Sequence, residues 1–342
     1  MTTATESLLG ESNAFLEIIE QASRLAPLRK PVLIIGERGT GKELIAHRLH
    51  YLSARWDQSF VTINCATLSE SLLETELFGH EAGSFTGAAK RHQGRFERAD
   101  GGTLFLDELA TTSARVQEKL LRVIEYGEFE RVGGAKPLKV DVRLVCATNE
   151  DLPALANKGQ FRHDLLDRLA FDVITLPPLR ERREDILMLA EHFAHSMTRE
   201  LGYPLFAGFS RKATQLLLDY HWPGNVRELK NVVERSIYRQ GNPQLPLSPL
   251  VLNPFDSPWR PQVTQPAQEA RSEVQSASPL ALPLDLKQAV AEYEINLLKQ
   301  AMQQSQYNQR KAAQLLALSY HQFRGMLRKY QLLDGDNDAE QE

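Results

Sequence analysis

The sequence predicts an α/β fold in which helices cover both faces of a parallel β-sheet, followed by a small all-α unit. Short runs of β-branched and aliphatic residues alternate with helical patterns in the N-terminal half, which is typical of parallel sheets. The predicted strands are residues 31–36, 60–66, 103–107, 143–148 and 171–176. Polar motifs follow several of these strands, at the edge where open parallel sheets bind ligands.

Changes in composition divide the chain into five segments. Residues 1–178 carry the alternating pattern. Residues 179–241 are predicted to form a smaller helical subdomain, because a helical pattern runs from 184 to 238 with breaks at 202–208 and 222–224. Nine of the 17 prolines lie between Pro243 and Pro283, so residues 242–283 are predicted to be a linker. Residues 284–333 are the helical unit, and 334–342 are an acidic tail.

The overall composition is typical of a globular protein of the cytoplasm. Of the 342 residues, 42% are hydrophobic and 25% are charged, and no apolar run approaches the ~18 residues of a membrane helix. The N-terminus lacks the basic and apolar blocks of a signal peptide, so we expect no membrane insertion. A disulfide between Cys65 and Cys146 is possible by number alone, but their apolar surroundings favour buried thiols.

A glycine-rich turn after the first predicted strand indicates a nucleotide site. Its residues are Gly36, Glu37, Arg38, Gly39, Thr40, Gly41, Lys42 and Glu43. A strand, such a turn and a helix are the context of a phosphate-binding P-loop, because backbone N–H groups and the helix dipole converge there on phosphate oxygens. Lys42 is predicted to contact the β- and γ-phosphates of ATP. Glu43 stands where Ser or Thr usually helps to hold Mg²⁺, and a chance match is the alternative.

Polar residues at the ends of three further strands are candidates for the chemistry of hydrolysis. Strand 103–107 delivers Asp107, suited to holding Mg²⁺, and Glu108, suited to polarising the attacking water. Thr148 and Asn149 are candidates for sensing the γ-phosphate or positioning the water. Asn64 is a candidate for holding Glu108 through an amide–carboxylate hydrogen bond, although either asparagine could equally cap its strand. The alternative for the acidic pair is an exposed turn.

Two arginines on one predicted helix, Arg162 and Arg168, are candidates for stabilising the transferring phosphoryl group. Arginine suits this task because its planar guanidinium spreads charge and donates several hydrogen bonds. Arginines on helix surfaces usually only solvate the helix, so the pattern alone does not assign the role.

A second glycine-rich segment lies between the two nucleotide motifs but has no use in ATP hydrolysis. It consists of Gly83, Ser84, Phe85, Thr86, Gly87 and Ala88, hereafter the 83–88 loop. Its glycines and small residues indicate a flexible tip that presents one aromatic and one hydroxyl side chain to a partner. An ordinary surface turn is the alternative. The position between two nucleotide motifs favours the interpretation as a partner-binding loop.

The C-terminal unit has the charge pattern of a DNA-binding module. Between Ile295 and Leu333 there are six Lys or Arg and no acidic residue. Residues 308–316 and 320–330 are predicted to be two helices joined by a tight turn, and the preceding helix, near 286–303, is predicted to pair two subunits. The predicted core consists of Ala312, Ala313, Leu315, Leu316, Phe323, Met326 and Leu327. The predicted DNA face consists of Arg310, Lys311, Tyr320, His321, Gln322, Arg324 and Arg328. A protein-binding helical hairpin is the alternative.

Together these motifs resemble the bacterial enhancer-binding activators of the sigma-54 RNA polymerase, a branch of the AAA+ ATPases. The resemblance extends over about residues 6–332. It rests on the motifs at 36–43, 76–81, 83–88, 101–108, 176–182 and 222–229. It implies an AAA+ P-loop ATPase whose helical subdomain is a lid, followed by a Fis-like helix-turn-helix domain.

The resemblance also implies individual roles. Glu43 is the usual family residue, and Asn64 matches the partner that switches Glu108. Arg162 and Arg168 match fingers that act in the neighbouring subunit of a hexameric ring. Arg227 matches the lid arginine that senses nucleotide, and the 83–88 loop matches the segment that contacts sigma-54. In that loop Ser84 replaces the usual alanine, and we expect function to be retained.

Within this family the sequence is most similar to activators of phage-shock (envelope stress) operons, which lack an N-terminal regulatory domain. That similarity implies a trans-acting negative regulator of the phage-shock protein A type, for which Trp56 is the candidate docking point. A partly buried loop anchor is the alternative for Trp56. We therefore expect an ATP-driven transcriptional activator. Its rivals are a DNA-binding regulator with a mainly allosteric or vestigial ATPase and a remodeller of complexes unrelated to transcription.

Overall fold

The computed structural model of the chain describes residues 8–85, 88–257, 259, 286–305, 308–330 and 332. These residues form two compact units, one within Met1–Pro258 and one within Trp259–Glu342. The larger unit contains the α/β subdomain and the lid, and the smaller unit contains three helices. Each unit is described by itself.

The centre of the larger unit is a five-stranded parallel sheet. Its strands are β1 (Val32–Ile35), β2 (Phe60–Asn64), β3 (Thr103–Asp107), β6 (Arg143–Thr148) and β7 (Val173–Thr175), in the order β2-β3-β6-β1-β7. All five predicted strands are confirmed. The sequence did not predict a separate antiparallel pair, β4 (Glu128–Glu130) and β5 (Pro137–Lys139). Each of these strands has three residues with one central apolar side chain, which is too short to show the alternation of apolar and polar residues typical of a strand.

Helices cover both faces of the sheet, as predicted. They are α1 (Asn13–Leu25), α2 (Lys42–Tyr51), α3 (Glu70–Phe78), α4 (Arg95–Arg98), α5 (Ala114–Tyr126), α6 (Leu152–Asn157) and α7 (His163–Leu169). Strand β1 shows the two layers, because Val32 and Ile34 pack with α1 and α2 whereas Leu33 packs in the cluster formed with α3 and α5. Side chains that alternate between two buried faces explain why the strands are apolar throughout.

The lid consists of α8 (Arg183–Glu200), α9 (Arg211–Asp219) and α10 (Asn225–Gln240), with breaks where the sequence predicted them. Trp222 lies in the second break and is fully buried, and its indole N–H donates to the Leu217 carbonyl at 2.8 Å. The indole therefore fills the lid core while its one polar group is satisfied.

The lid extends beyond its predicted end at residue 241, so the predicted start of the linker is wrong. Leu247 and Leu250 are buried in the lid core, and the Val251 N–H donates to the Ser236 hydroxyl at 2.8 Å. A proline-rich composition prevents helix but does not prevent apolar side chains from packing. The later part of the predicted linker, residues 260–283, and the acidic tail lie outside the described residues.

The smaller unit contains α11 (Leu286–Gln304), α12 (Gln309–Leu315) and α13 (Tyr320–Lys329), which confirms the three predicted helices. The side chains of Asn308 and Ser319 cap the N-termini of α12 and α13. The buried core consists of Leu298, Ala301, Ala312, Ala313, Phe323 and Leu327, with Leu316 and Met326 packed against it. Leu315 was predicted to be in this core, but it is 57% exposed at the last position of α12.

Both cysteines are buried free thiols, as expected from their apolar surroundings. Burial raises the pKa of the Cys65 thiol to about 12. Within the part of the chain that the structure describes, no helix is both long and apolar enough to cross a membrane.

Candidate functional site

The P-loop turns between β1 and α2 in a form that only glycine adopts without strain. Gly39 and Gly41 have φ angles of +79° and +99°. A Cβ on Gly39 would lie 2.3 Å from the carbonyl oxygen of Gly224 in the lid. The P-loop apex therefore packs closely against the lid, and α2 begins at Lys42 with its N-terminus toward the turn.

Lys42 is buried beneath the P-loop and surrounded by the other candidate groups. Its ammonium donates to the carbonyl oxygens of Gly36 at 2.9 Å and Glu37 at 3.3 Å. Burial lowers the pKa of Lys42, and the nearby carboxylates of Glu108 and Asp107 oppose that shift. The structure therefore brings Lys42 and the acidic pair together. Thr40 donates to the Glu37 carbonyl at 2.8 Å, and Glu43 is exposed.

Asn64 and Asp107 face each other on adjacent strands. They are paired in the β2–β3 register, and the Asn64 amide donates to Asp107 Oδ2 at 3.1 Å. The predicted hydrogen bond to Glu108 is therefore not the one in this structure, because the register sets Asp107 opposite Asn64. The Asn64 side-chain oxygen accepts from the Ala66 N–H at 2.9 Å, which agrees with the alternative of a strand-end cap.

Glu108 occupies an unusual backbone conformation directly after β3. Its φ is +53°, a left-handed geometry that costs free energy in a residue with a Cβ and is often found at functional sites. The side chain is only 13% exposed, and Oε1 lies 3.7 Å from Arg38 Nε of the P-loop. The turn thus directs the Glu108 carboxylate toward the P-loop.

The end of β6 supports the start of the P-loop. Thr148 is fully buried, and its carbonyl accepts from the Gly36 N–H at 3.2 Å. Its hydroxyl accepts from the Glu150 N–H at 3.1 Å. Asn149 follows as a half-buried residue at the same sheet edge. The two candidates therefore lie beside the P-loop, as the parallel topology predicts.

Arg162 occupies the N-cap position of α7, and Arg168 lies in the last turn of that helix; both have exposed guanidinium groups. Arg162 donates to Asp164 at 2.7 Å, and Arg168 donates to Glu125 at 3.0 Å. Their side chains are 40% and 61% exposed. Both arginines therefore present their charge at the surface of the chain, where another molecule can reach it. The Arg162 backbone N–H donates to Gln117, which fixes the start of α7 on α5.

A polar network that the sequence did not predict joins the P-loop to the lid. The Glu37 carboxylate accepts two hydrogen bonds from Arg180, at 3.0 and 2.6 Å, and one from the Asn225 amide at 3.0 Å. These residues are 143 and 188 positions from Glu37, so no local pattern indicates the contact. Arg227 is exposed, and its backbone N–H donates to the Gly39 carbonyl at 3.4 Å.

The 83–88 loop presents Phe85 to solvent. The phenyl ring is 46% exposed and meets the His80 imidazole edge-on, with ring centroids 4.9 Å apart. The Gly83 N–H donates to the Ala88 carbonyl at 2.7 Å, which closes the loop at its base. Thr86 and Gly87 lie outside the described residues. An exposed aromatic on a closed loop agrees with the prediction of a contact surface.

Ser84 is packed rather than exposed. A Cβ added to Gly133, in the β4–β5 connection, would lie only 2.5 Å from the Ser84 Cβ, and Gly133 has a φ of +75°. The Ser84 hydroxyl oxygen is buried and has no hydrogen-bond partner among the described residues. The loop therefore rests on the β4–β5 pair, which short-range sequence patterns did not reveal.

Arg131, in the same β4–β5 connection, is a further residue that sequence reasoning missed. Its guanidinium is 6% exposed and donates to Glu97 and Glu81, the latter at 2.7 Å. Hydrogen bonding to Glu97 raises the pKa of Arg131, which is therefore fully charged. The Glu81 N–H donates to the Val132 carbonyl at 3.1 Å, which completes this attachment of the loop base.

Trp56 is 63% exposed, and the neighbouring Tyr51 and Leu52 are 55% and 45% exposed. The loop that carries Trp56 is held by Arg55, whose guanidinium donates to Asp141 at 2.6 Å. The exposure of the indole favours the docking role over the alternative of a partly buried loop anchor. An exposed apolar cluster is typical of a protein docking site.

The candidate DNA face lies on the outer side of α12 and α13. Tyr320 is half-buried and the other six candidate residues are exposed. The Arg310 guanidinium lies over the Tyr320 ring at 5.9 Å, and the Gln322 side-chain oxygen accepts from the Ser319 N–H at 3.0 Å in a helix cap. The predicted pairing face of α11 consists of Val290, Tyr293, Leu297, Leu298 and Met302. Val290 and Tyr293 are 47% and 67% exposed, but Leu298 is buried in the core of the helical unit and Met302 packs against that core, so only part of the face is accessible.

Comparisons with known proteins agree with this geometry. Residues 8–175 match the sigma-54 interaction domain, and residues 180–253 match the AAA+ ATPase lid domain. The Psp operon transcriptional activator of Escherichia coli K12 is 61% identical over 332 residues, which are 97% of this chain and 100% of that protein. The nitrogen fixation protein AnfA of Azotobacter vinelandii is 51% identical over 231 residues, which are 68% of this chain and 43% of AnfA.

A solved structure gives the same result for the fold. NtrX from Brucella abortus in complex with ATP has a TM-score of 0.66 and 31% identity, over 95% of this chain and 69% of NtrX. The matched domains contain the P-loop, the acidic pair, the 83–88 loop and the lid. The predicted fold class and the family resemblance are therefore confirmed. The chain belongs to the sigma-54-dependent transcriptional activators, AAA+ enzymes that hydrolyse ATP.

Proposed function

We propose that this activator binds enhancer DNA, assembles into a hexameric ring, and uses ATP hydrolysis to move the 83–88 loop against sigma-54. Promoter opening at a phage-shock operon, in a cytoplasmic response to envelope stress, is the proposed outcome. The observation that carries the proposal is the arrangement of two distinct sites on one α/β subdomain. Lys42 and Glu108 converge at the sheet edge, while Phe85 is exposed on a loop held by His80 and the β4–β5 pair.

In the proposed hydrolysis, Lys42 binds the β- and γ-phosphates and Glu108 polarises the attacking water. The buried position of Lys42 supports its role, because a partly desolvated ammonium interacts strongly with phosphate oxygens. The left-handed turn at Glu108 fixes the carboxylate near the P-loop. Glu108 accepts the proton as the water attacks, and Thr148 and Asn149 help to orient the water or sense the γ-phosphate.

Asp107 is the proposed ligand for Mg²⁺. Its carboxylate ends a buried strand at the edge where the P-loop lies, and hard divalent cations prefer such oxygen donors. Asn64 donates to one Asp107 oxygen and orients the carboxylate. An oriented carboxylate of this kind fits a metal site. When bound, the metal supplies charge neutralisation at the β- and γ-phosphates. Asn64 can also switch to Glu108 if the end of β2 moves relative to β3.

Arg162 and Arg168 are proposed to act in the site of a neighbouring subunit. Their exposed guanidinium groups on α7 support this role, because a finger that acts in trans must be accessible at an interface. The carboxylates of Asp164 and Glu125 are their partners in the single chain. Ring assembly exchanges these partners for the charge on the γ-phosphate.

Enhancer binding is proposed for the C-terminal unit. The exposed Arg310, Lys311, Arg324 and Arg328 supply phosphate and base contacts, and α13 is the proposed recognition helix in the major groove. The exposed face of α11 is the proposed contact between two subunits on DNA. The proposed regulator of the phage-shock protein A type docks on Trp56, where Tyr51 and Leu52 extend the apolar surface.

The Glu108→Gln variant tests the proposed hydrolysis. It preserves the size of the side chain and removes the charge that polarises water, so ATP should still bind while turnover falls at least ~10²-fold. The measurement is phosphate release alongside ATP affinity. Turnover within about threefold of the wild type would refute the role of Glu108, because loss of a general base costs far more. Normal promoter opening without turnover would favour the rival function of an allosteric ATPase.

A further inference from the structure

The contact between the P-loop apex and the lid includes a polar network of one buried side chain, Asn225, and two half-exposed ones, Glu37 and Arg180. Asn225 is fully buried at the start of α10, with a φ of +52°. Its amide group donates to the Glu37 carboxylate and to the Arg38 carbonyl, both at 3.0 Å. Its side-chain oxygen accepts from the Leu179 N–H at 2.8 Å. One side chain thus binds two residues of the P-loop and one at the entry to the lid.

Arg180 completes the contact from the other side. Its two terminal nitrogens donate to the two oxygens of Glu37 at 3.0 and 2.6 Å, which is the paired geometry that makes arginine–carboxylate contacts strong. Hydrogen bonding from Arg180 lowers the pKa of Glu37, so the carboxylate is ionised. The Glu37 side chain consequently points to the lid, and only the backbone of this P-loop residue is left for phosphate.

Arg227 lies two residues after Asn225, on the first turn of α10. The Val226 and Arg227 N–H groups donate to the Gly39 carbonyl at 3.0 and 3.4 Å. The Arg227 Cβ lies 3.1 Å from the place where a Gly39 Cβ would be. Any change in the geometry of the P-loop apex is therefore transmitted to the residue that carries the Arg227 side chain.

We propose that Glu37, Arg180 and Asn225 form a latch that positions Arg227 over the phosphate site and couples the P-loop to lid orientation. The latch residues are positioning residues, since they act through Arg227. The inference rests on the proposed role of Arg227 in sensing nucleotide. A rearrangement of the P-loop around phosphate would shift Gly39 and Glu37 together, and the latch would carry that shift into α10.

A double-mutant cycle on ATP affinity in the full chain separates positioning from simple stabilisation. Asn225→Gly keeps a residue that tolerates the positive φ and removes the amide. Arg227→Ala should weaken binding of a fluorescent ATP analogue about tenfold in the wild type, as for loss of one charge-assisted hydrogen bond. In the Asn225→Gly background the same change should cost less than about twofold, because Arg227 is already misplaced.

The matched control is Arg183→Ala. Arg183 is another exposed lid arginine, but its guanidinium donates to the Leu218 carbonyl at 3.1 Å within the lid. In that background Arg227→Ala should keep its full effect. If Asn225→Gly does not fold, Arg180→Ala replaces it in the cycle and is judged by the same criterion, because Arg180 is a half-exposed side chain.

The outcomes separate the role of the latch from the role of Arg227. Equal losses from Arg227→Ala in the wild-type and latch-variant backgrounds would overturn the latch. No loss from Arg227→Ala in the wild type would overturn the proposed role of Arg227 itself. A lowered unfolding temperature with full retention of the Arg227 effect would make the network a structural support only, and would also overturn the proposal.

Discussion

The buried hydroxyl of Ser84 gives a quantitative test of how the 83–88 loop is held. Its oxygen is buried without a hydrogen-bond partner among the described residues, while its Cβ packs on Gly133. Burying an unpaired hydroxyl costs about 1–3 kcal/mol relative to the solvated group. Ser84→Ala removes that cost in the packed conformation and keeps the Cβ contact. The packed conformation should therefore gain at least ~1 kcal/mol over conformations in which residue 84 is exposed.

Amide hydrogen exchange measures this gain directly. The N–H groups of Gly83 and Ala88 donate within the loop, to the Ala88 and Phe85 carbonyls at 2.7 and 3.0 Å. Their exchange should slow by about fivefold or more in Ser84→Ala, since ~1 kcal/mol changes an opening equilibrium by that factor. ATP turnover and promoter opening should both be retained, because the family usually has alanine at this position.

Gly133→Ala is the opposing variant. Its new Cβ would lie 2.5 Å from the Ser84 Cβ, and its φ of +75° is strained for alanine. Exchange at Gly83 and Ala88 should then become faster. Exchange in Ser84→Ala that is unchanged or faster than in the wild type would refute the conclusion that the loop packs on Gly133 at a cost from the buried hydroxyl.

Three further predictions concern the proposed partners. Arg168→Ala and Lys42→Ala subunits should each be inactive alone but recover some ATP hydrolysis when mixed, because some interfaces then join an intact Arg168 to an intact Lys42. No recovery despite proven co-assembly would exclude fingers that act in trans. Arg324→Ala combined with Arg328→Ala should lower specific enhancer binding at least ~10-fold and leave ATP turnover unchanged, since each exposed arginine supplies a charge-assisted contact; an unchanged DNA footprint would contradict the assignment of α13. Trp56→Ala should raise promoter activity in cells without changing the purified ATPase rate, with Asp57→Ala as the neighbouring control; a fall in both quantities would indicate a structural role for Trp56.

The sequence predicts most of what depends on local pattern. Runs of β-branched and aliphatic residues predict all five parallel strands, and glycine spacing predicts the P-loop between β1 and α2. The end of the lid was misplaced because Leu247 and Leu250 occur in a proline-rich context that conceals their burial. The strands β4 and β5 were missed because each contains a single buried or half-buried apolar side chain.

The features that the sequence could not predict depend on contacts between distant residues. The resemblance pairs Asn64 with Glu108, but the strand register sets Asn64 opposite Asp107, and Glu108 follows the end of β3 in a left-handed turn. The Glu37–Asn225 contact spans 188 positions and follows from how the lid packs. Local patterns therefore identify the chemistry of the site, whereas the partners of each charged group require the folded chain.

In the proposed mechanism, ATP hydrolysis and sigma-54 engagement are performed by separate residues of one α/β subdomain. The most direct test is the Thr86→Ala variant, with Phe85→Ala as its companion, since neither side chain belongs to the groups assigned to ATP, Mg²⁺ or water. ATP hydrolysis by these variants should continue at a rate comparable to the wild type. Binding of sigma-54 in a state trapped with ADP and a metal fluoride, and open-complex formation, should be lost. Full open-complex formation by Thr86→Ala with the sigma-54 polymerase would show that the 83–88 loop does not engage sigma-54 as proposed.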